Sequence, residues 1–357
     1  MRRIEQLRNK IDEIDDRLLK LLSRRAELAI QIGQEKSKSS SSSHFHVPHR
    51  EREIIERLQN HNKGIFPNSS VEAVFREIFS ATLALEKPLV IAYFGPETTF
   101  THQAALKQFG HSAVYNPLPT IDSVFAEVEK GNADYGVVPI ENSIEGVVNI
   151  TLDSFIDSSL IINDEIKLGI SLYLLSKPGE PEKLKRIYSH PQPLAQCRNW
   201  LAQHFPGVEQ IPASSTAQAA QIASQDDNAA AVASKLAAEY FKLKVLGSNI
   251  EDQRANHTRF LVIGKEKAKK AARNKTSIMF SIKDESGSLL SALQLFAKHK
   301  INLTKIQSRP LRSRLWEYLF YLDFDGHIED KTIARVIDTL SRQCLFLKVL
   351  GSYPRKV

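Results

Sequence analysis

Three adjacent polar residues, Glu141, Asn142 and Ser143, follow an apolar run that is typical of a buried strand. The run DYGVVPI has valines on the C-terminal side of Gly136, and Pro139 cannot donate to a sheet ladder. In open α/β sheets the carboxyl ends of strands border the ligand crevice, so this trio, within VPIENSIEG, is well placed to hold a small polar molecule. An ordinary turn rich in Asn and Ser explains the same residues, and both interpretations stay open.

A second group of polar residues has helical spacing. Arg25 and Lys36 are eleven positions apart, which at about 100° per residue leaves them roughly 20° apart on one helix face. Cations and acceptors from three helices could close around a small dicarboxylate, whereas a solvated surface is the competing interpretation. The candidate set is Arg25, Lys36, Arg50, Glu51, Thr82 and Glu86.

The composition is that of a soluble globular protein with several domains. The chain has 357 residues and a formal net charge of +7, and this length favours two or three domains. Its cations are spread out except in KEKAKKAARNK, which is typical of a solvated linker, so the charge suits small polyanionic substrates and we expect no nucleic acid partner.

No apolar run is long enough for a membrane span, so we expect a cytoplasmic protein. Cys197, Cys344 and the histidines of SSSHFHVPH lack ligand spacing, so we expect no metal and no disulfide.

The first part of the chain, residues 1–87, is predicted to be helical. Apolar residues from Leu7 to Ile32 recur every three or four positions. A helix of about thirty residues is roughly 45 Å long, more than a compact domain of this size can cover. We therefore predict an intertwined all-α helical dimer, with further helices from His49 to about Asn62 and from about Ser70 to Glu86.

The second part, residues 89–264, alternates strand and helix patterns and is predicted to be a two-lobed α/β domain. Expected strands include LVIAYFG, DYGVVPI, LGISLYLLS and KRIYSHP, and expected helices include STAQAAQIA and AAVASKLAAEYF. Further polar residues cluster in SHPQPLAQC and NHTRF, namely Ser189, Gln196, Asn256, Thr258 and Arg259.

The third part follows a linker at residues 265–274. Residues 275–357 show strand and helix patterns in the order βαββαβ, which predicts an α+β ferredoxin-like domain.

The string LRNKIDEIDDRLLKLLSRRAELAIQIGQEK, followed by PHREREIIERL, resembles the all-helical chorismate mutases. The resemblance implies that the candidate set named above binds chorismate and that Arg8 enters the site from the partner subunit. The reaction it implies is a unimolecular rearrangement of chorismate to prephenate. Such a reaction needs a compact substrate conformer and stabilisation of charge on the ether oxygen. Some family members have Gln at the position of Glu86. Because a carboxyl group donates to that oxygen only when protonated, we expect mutase activity to fall as Glu86 ionises.

The motifs YFGPETTFTHQAA, VPIENSIEG, SHPQPLAQC and NIEDQRANHTRF, in this order, resemble prephenate dehydratases. The resemblance implies a periplasmic-binding-protein-like fold and conversion of prephenate to phenylpyruvate, carbon dioxide and water without a metal or organic cofactor. We expect Thr258 to donate the proton, directly or by relay, with help from a neighbour because a hydroxyl is a weak acid. The other residues implied are Arg259 for a substrate carboxylate, and Asn142, Ser143, Ser189 and Gln196 for orientation.

One position departs from the dehydratase motif GPEGTF, because Thr98 stands where the family has Gly. If that position needs a positive φ, we expect Thr98 to strain the turn without removing a reactive group.

The segments GSLLSAL and INLTKIQSRP resemble the ACT regulatory domain. The resemblance implies phenylalanine as a feedback inhibitor, bound by Gly287, Ser288 and Leu289 of one chain and by Gln307, Ser308, Arg309 and Pro310 near a partner. The family often has Glu in place of Gln307, which leaves the strength of inhibition open. A purely dimerising domain is the alternative.

Together the three resemblances imply a bifunctional enzyme of phenylalanine biosynthesis that forms a homodimer or a higher homo-oligomer. Two other functions remain open from the sequence. The second part could act on arogenate instead of prephenate, or it could be a noncatalytic small-molecule binder with the last domain as its sensor.

Overall fold

The computed structural model describes residues 2–38, 46–253, 255–310 and 318–356, without the side chains of residues 36–38. The chain divides into a helical unit, residues 1–90 with 106–114, and a main unit, residues 91–105 with 115–357. Within the described ranges, no helix has both the length and the apolar character needed to cross a membrane. In the same ranges, no three His, Cys, Asp or Glu side chains are grouped as metal ligands would be.

Three helices form the helical unit: α1 (Arg2–Lys38), α2 (Pro48–His61) and α3 (Asn68–Ala84). The predicted single long helix is confirmed, and at 37 residues it is about 55 Å long. Its apolar stripe stays exposed in this chain, with Ile11 and Ile14 both more than half accessible. The stripe comprises Ile4, Leu7, Ile11, Ile14, Leu18, Leu21, Leu22, Leu28 and Ile32.

The main unit begins with the first lobe, a mixed sheet in which β3 is central. The strand order is β2-β1-β3-β11-β5, and β4 pairs with the C-terminal end of β3. The strands β1 and β3 are parallel, and β11 is antiparallel to both β3 and β5. The elements are β1 (Val90–Phe94), α4 (Phe100–Phe109), β2 (Val114–Leu118), α5 (Ile121–Lys130), β3 (Tyr135–Asn142), β4 (Gly146–Val147), α6 (Asn149–Asp157), β5 (Ile161–Gly169) and β11 (His257–Gly264).

The second lobe is a separate five-stranded sheet with the order β10-β6-β9-β7-β8. The chain enters it after β5 and returns to the first lobe at β11, so the predicted two-lobed α/β fold is confirmed. Its elements are β6 (Tyr173–Ser176), β7 (Arg186–Ser189), α7 (Pro191–Gln196), α8 (Arg198–His204), β8 (Glu209–Pro212), α9 (Thr216–Gln225), β9 (Ala229–Ala233), α10 (Lys235–Phe241) and β10 (Lys244–Ser248).

The third domain has the predicted ferredoxin-like order βαββαβ. Its antiparallel sheet has the order β13-β14-β12-β15, and apolar residues of the sheet and of both helices form one core. The elements are β12 (Asn274–Ser281), α11 (Ser288–Lys298), β13 (Leu303–Pro310), β14 (Tyr318–Asp325), α12 (Lys331–Gln343) and β15 (Phe346–Pro354).

Boundaries in the main unit differ from the sequence prediction in three places. The segment LGISLYLLS is the end of β5 and the whole of β6, separated where the chain changes lobes. Residues 229–233 form the fully buried strand β9 and not the start of a helix, because a central sheet position overrides the helical preference of alanine. The strand β3 continues through Asn142, so Glu141 and Asn142 lie within the strand and point to opposite faces of the sheet.

Candidate functional sites

The helical unit brings part of its predicted set together between α1 and α3. The guanidinium of Arg25 donates to the Thr82 hydroxyl at 3.0 Å and lies over the Phe79 ring at 5.1 Å. Burial lowers the pKa of Arg25, and the negative charge of Glu51 acts in the opposite direction. A cation that is partly withdrawn from water attracts an anion more strongly than one on the surface.

Glu86 approaches α1 at Gly33, where the absence of a side chain makes room for it. A Cβ added at Gly33 would lie 2.3 Å from the Glu86 carboxylate. Glu86, which follows the end of α3, therefore lies against α1 about two turns after Arg25.

Two other cations of the helical set, Arg50 and Arg8, are not gathered around Arg25 in this chain. Arg50 pairs with Glu53 on its own helix at 3.0 Å, and both side chains are more than half exposed. Arg8 is exposed on α1, well before Arg25. The side chain of Lys36, together with His44 and most of the serine-rich loop, lies outside the described residues.

The main unit assembles a polar cluster where β3 and β11 run side by side. Thr258 is directly opposite Asn142 in the ladder. The amide of Asn142 donates to the Thr258 hydroxyl at 2.8 Å and to the Asn256 side chain at 2.9 Å. Asn256 in turn donates to Gln196 of the second lobe at 3.2 Å. Four predicted polar residues from three separate motifs are thus connected in one network.

Asn142 is held so that its amide faces Thr258. Its side-chain oxygen accepts from the backbone amides of Ile144 and Glu145, at 2.9 and 3.2 Å. Because the oxygen is occupied in this way, the NH₂ group is directed at Asn256 and Thr258. The Thr258 hydroxyl therefore accepts from Asn142 and keeps its own proton for another acceptor.

Two serines of the predicted set make bonds within the fold. The Ser189 hydroxyl is fully buried and donates to the carbonyl of Val232 at 2.6 Å, which ties β7 to β9. The Ser143 hydroxyl donates to the carbonyl of Ala255 at 3.2 Å and accepts from the amide of His257 at 2.9 Å. Ser143 thereby closes the end of the β3–β11 pair, whereas the bond of Ser189 lies within the second lobe.

Arg259 also lies away from Thr258, contrary to the expectation that it contacts a substrate carboxylate beside that residue. Neighbouring residues of a strand point to opposite faces, and Arg259 projects toward the third domain. It donates to Glu165 at 2.7 Å, to Asp323 at 2.6 Å and to the Tyr353 hydroxyl at 2.8 Å. With Glu165 and Asp323 fully buried, this guanidinium is committed to the interior of the protein.

Lys275 completes this buried layer. Its ammonium group contacts both carboxylate oxygens of Glu165, at 2.8 and 2.9 Å. Burial and the adjacent Arg259 lower the pKa of Lys275. Two cations and two carboxylates are in contact here, which is the arrangement that makes buried charge tolerable. The sequence carried a signal for this layer in β14, because Asp323 follows an apolar and aromatic run in that strand and a carboxylate there requires a partner.

The residues predicted to bind an effector lie in two places, at the N-terminus of α11 and on the two faces of β13. Gly287 has a φ of 87° and caps α11, with Ser288 as the first helical residue. Leu289 packs against the core of the third domain. On β13 the exposure alternates, so Gln307 and Arg309 share one face while Ser308 and Pro310 share the other. Arg309 binds the Asp153 carboxylate at 2.5 Å and the Asn149 carbonyl at 2.7 Å in the first lobe of the same chain.

The turn that contains Thr98 has the conformation anticipated from the missing glycine. Thr98 has a φ of 67°, and its buried hydroxyl has no hydrogen-bond partner within the described chain. Its backbone amide donates to His102 at 3.1 Å, and its carbonyl accepts from Ser234 at 2.9 Å. The backbone contacts retain the left-handed conformation although the residue is not glycine.

Comparison with known proteins assigns a family to each of the three parts. Residues 7–87 match the family model of chorismate mutase type II, residues 91–268 that of prephenate dehydratase, and residues 276–342 that of the ACT domain.

Two bifunctional relatives align with this chain over nearly its whole length. A bifunctional chorismate mutase/prephenate dehydratase of Aquifex aeolicus is 50% identical over 359 residues, which covers 99% of each chain. One from Stutzerimonas stutzeri is 43% identical over 358 residues, covering 99% of this chain and 98% of that protein. The crystal structure of a prephenate dehydratase from Arthrobacter aurescens, in complex with L-Phe, is 34% identical with a TM-score of 0.70, covering 75% of this chain and 90% of that one. This chain therefore belongs to the family of bifunctional chorismate mutase/prephenate dehydratases with an ACT domain.

Proposed function

We propose that this chain converts chorismate to prephenate in the helical unit and prephenate to phenylpyruvate in the main unit, with phenylalanine as feedback inhibitor. The observation that carries the dehydratase assignment is the network that aims the Asn142 amide at the Thr258 hydroxyl. Similarity over the whole length to bifunctional relatives supports the pairing of the two activities.

The dehydratase step is a decarboxylation coupled to loss of the ring hydroxyl. The electron pair of the breaking carbon–carboxylate bond moves into the ring and expels the hydroxyl group, which leaves as water once protonated. Thr258 donates this proton, and the Asn142 amide, which hydrogen-bonds to its oxygen at 2.8 Å, stabilises the oxygen as the proton departs. Gln196, bonded to Asn256, brings the second lobe against the substrate. Because the ring becomes aromatic, these groups need only supply orientation and a proton.

The mutase step requires no covalent participation by the protein. Arg25, positioned by Thr82 and Phe79, binds a substrate carboxylate, and Glu86, whose carboxylate occupies the space beside Gly33, faces the ether oxygen. Lys36 and Arg50 supply further cations, and the Arg50 side chain changes conformation to reach the substrate. Arg8 comes from a second copy of the chain, whose α1 covers the exposed stripe. The working enzyme is therefore a homodimer or a higher homo-oligomer, and we place it in the cytoplasm.

The effector site is the junction between the α11 N-terminus and β13 of a neighbouring third domain. Gly287, Ser288 and Leu289 offer backbone amides and an apolar edge to an amino acid. Ser308 and Pro310, on the outer face of β13, are directed away from the first lobe, and Gln307 replaces the acidic residue frequent in the family. Phenylalanine bound at this site inhibits the dehydratase reaction. Arg309 holds β13 in place through its bonds to Asp153 and Asn149.

One experiment separates these activities from the alternatives. Purified protein is given chorismate, prephenate or arogenate in separate reactions, each with and without phenylalanine, and product is measured by absorbance. We expect phenylpyruvate from both chorismate and prephenate, and less of it with phenylalanine. Faster turnover of arogenate to phenylalanine would assign an arogenate dehydratase, and tight ligand binding without any product would assign a noncatalytic binder.

A further inference from the structure

The residue pair behind the dehydratase network is engaged by the third domain. In the β3–β11 ladder Thr258 is opposite Asn142, and the next pair is Arg259 opposite Glu141. Because side chains alternate along a strand, these two pairs lie on opposite faces of the sheet. The first pair forms the catalytic network, and the second pair contacts strands of the regulatory domain.

We propose that Glu141 is a positioning residue for the dehydratase reaction, held from behind by Lys305. Its ion pair with Lys305 is then the contact through which ligand binding on β13 reaches Asn142 and Thr258. This inference rests on the proposed dehydratase function and on phenylalanine binding at β13.

The ion pair has the geometry of a fixed contact. The ammonium of Lys305 lies 2.7 Å from the Glu141 carboxylate, and the Lys305 side chain is only 10% exposed. It also lies 5.8 Å from the centre of the Tyr321 ring. A largely buried cation held between a carboxylate and an aromatic face keeps one position better than a solvated surface pair. Glu141 directly precedes Asn142 in β3, so a shift of Glu141 moves the backbone that carries the Asn142 side chain.

The strand that carries Lys305 is anchored at a second point. Arg309, four residues along β13, binds Asp153 and the Asn149 carbonyl of α6. Gln307 lies between these two anchors on the same face. A ligand that displaces this part of β13 therefore pulls on Glu141 at one end and on α6 at the other.

Arg259 provides a second connection from the same ladder position. Its bonds to Asp323 of β14 and Tyr353 of β15 join β11 to the third domain directly behind Thr258. Since β14 is the neighbour of β13, both catalytic strands are fixed to adjacent strands of the regulatory sheet. Relative movement of that sheet changes the Asn142–Thr258 distance.

Lys305→Met tests the proposal, with Lys348→Met as the matched control. Lys348 is another partly buried lysine of the third domain that contacts the first lobe, but it binds the carbonyls of Phe155 and Ser158 at the C-terminal end of α6 and makes no such bond to β3. We expect Lys305→Met to lower the dehydratase kcat about tenfold with little change in KM, and to weaken inhibition by phenylalanine, because a loosened reacting geometry slows the chemical step. Lys348→Met should stay within about twofold of the wild type, since the alignment of Asn142 and Thr258 does not depend on it.

Two further variants show whether the effect is one of positioning. Glu141→Gln keeps the shape of the side chain and removes its charge, so it should reproduce the loss of dehydratase kcat expected for Lys305→Met, even if that variant folds poorly. The double variant Lys305→Glu with Glu141→Lys restores an ion pair and should recover most of the rate. In a Thr258→Ala background, Lys305→Met should cause no additional loss of kcat.

The outcomes distinguish the inference from the function it rests on. Equal losses for Lys305→Met and Lys348→Met, or losses that add to that of Thr258→Ala, would overturn the positioning role while the wild-type enzyme remains active. A wild-type protein that forms no phenylpyruvate from prephenate would overturn the proposed function and this inference with it. Mutase turnover, measured on the same samples, reports that the helical unit is intact.

Discussion

The two candidate sites differ in how much of each one a single chain assembles. In the main unit, Gln196, Asn256, Asn142 and Thr258 are connected by hydrogen bonds within one chain. In the helical unit, Arg25 and Thr82 meet, but other cations of the expected set project to solvent. A sheet ladder fixes which residues are neighbours, whereas a long helix with an uncovered stripe depends on what packs against it. We therefore expect the dehydratase site to depend on one chain and the mutase site on two.

Thr258→Ala is expected to separate the two activities by the largest factor. Removing the proton donor should lower the dehydratase kcat a hundredfold or more, while mutase turnover stays near the wild-type value. Steady-state rates with prephenate and with chorismate give both numbers from one preparation. Thr258→Ser keeps the hydroxyl and should retain most of the rate; a serine variant as inactive as the alanine variant would argue against proton donation.

Mixing two inactive mutase variants tests whether that site is shared between chains. Arg8→Ala and Arg25→Ala should each reduce mutase turnover about a hundredfold, because each removes a cation that faces substrate charge. If Arg8 comes from the partner, random co-assembly restores about a quarter of the wild-type activity, since half of the dimers then hold one intact site.

The matched control for this mixing experiment uses two residues of the same chain. Arg25 and Thr82 are in direct contact, so every site in a mixed Arg25→Ala and Thr82→Ala dimer lacks one of them. We expect no recovery from that mixture. Recovery there, or none with Arg8→Ala, would contradict the shared site.

Ser189→Ala distinguishes a substrate contact from a bond within the fold. The Ser189 hydroxyl donates to the Val232 carbonyl, so its loss should lower the free energy of unfolding by about 1 kcal/mol. We expect the dehydratase kcat and KM to change by less than about threefold, since the Ser189 hydroxyl is bonded to a backbone carbonyl of its own lobe. Denaturant unfolding and steady-state kinetics on the same variant provide the comparison, and a tenfold rise in KM would return Ser189 to the substrate site.

The sequence was sufficient where local pattern and chain order determine the outcome. The long helix α1, the βαββαβ order and the meeting of VPIENSIEG with NHTRF were all predicted from spacing and motifs. It was insufficient where the result depends on which strands are neighbours. The direction of Arg259 follows from its place beside β5 and under β14, and the strand conformation of residues 229–233 follows from burial in the second sheet. Neither neighbour can be read from the motif itself.

Thr98→Gly is expected to have the smallest effect, a gain in stability. Thr98 has a φ of 67°, a conformation that costs a residue with a Cβ about 1 kcal/mol relative to glycine. The variant also removes a buried hydroxyl without a partner among the described residues, but it loses the packing of a fully buried side chain. Lys242→Gly is the matched control, because Lys242 has a φ of 55° at the end of α10 and an exposed side chain.

Comparing the two variants separates backbone strain from side-chain packing. Lys242→Gly should raise the free energy of unfolding by about 0.5 to 1 kcal/mol, and Thr98→Gly by no more than that, as measured by denaturant unfolding. Dehydratase kinetics should be unchanged in the control. A Thr98→Gly protein that is less stable than the wild type would show that the packing of this threonine outweighs its strain, and that the chain has adapted to the substitution in its GPETTF motif.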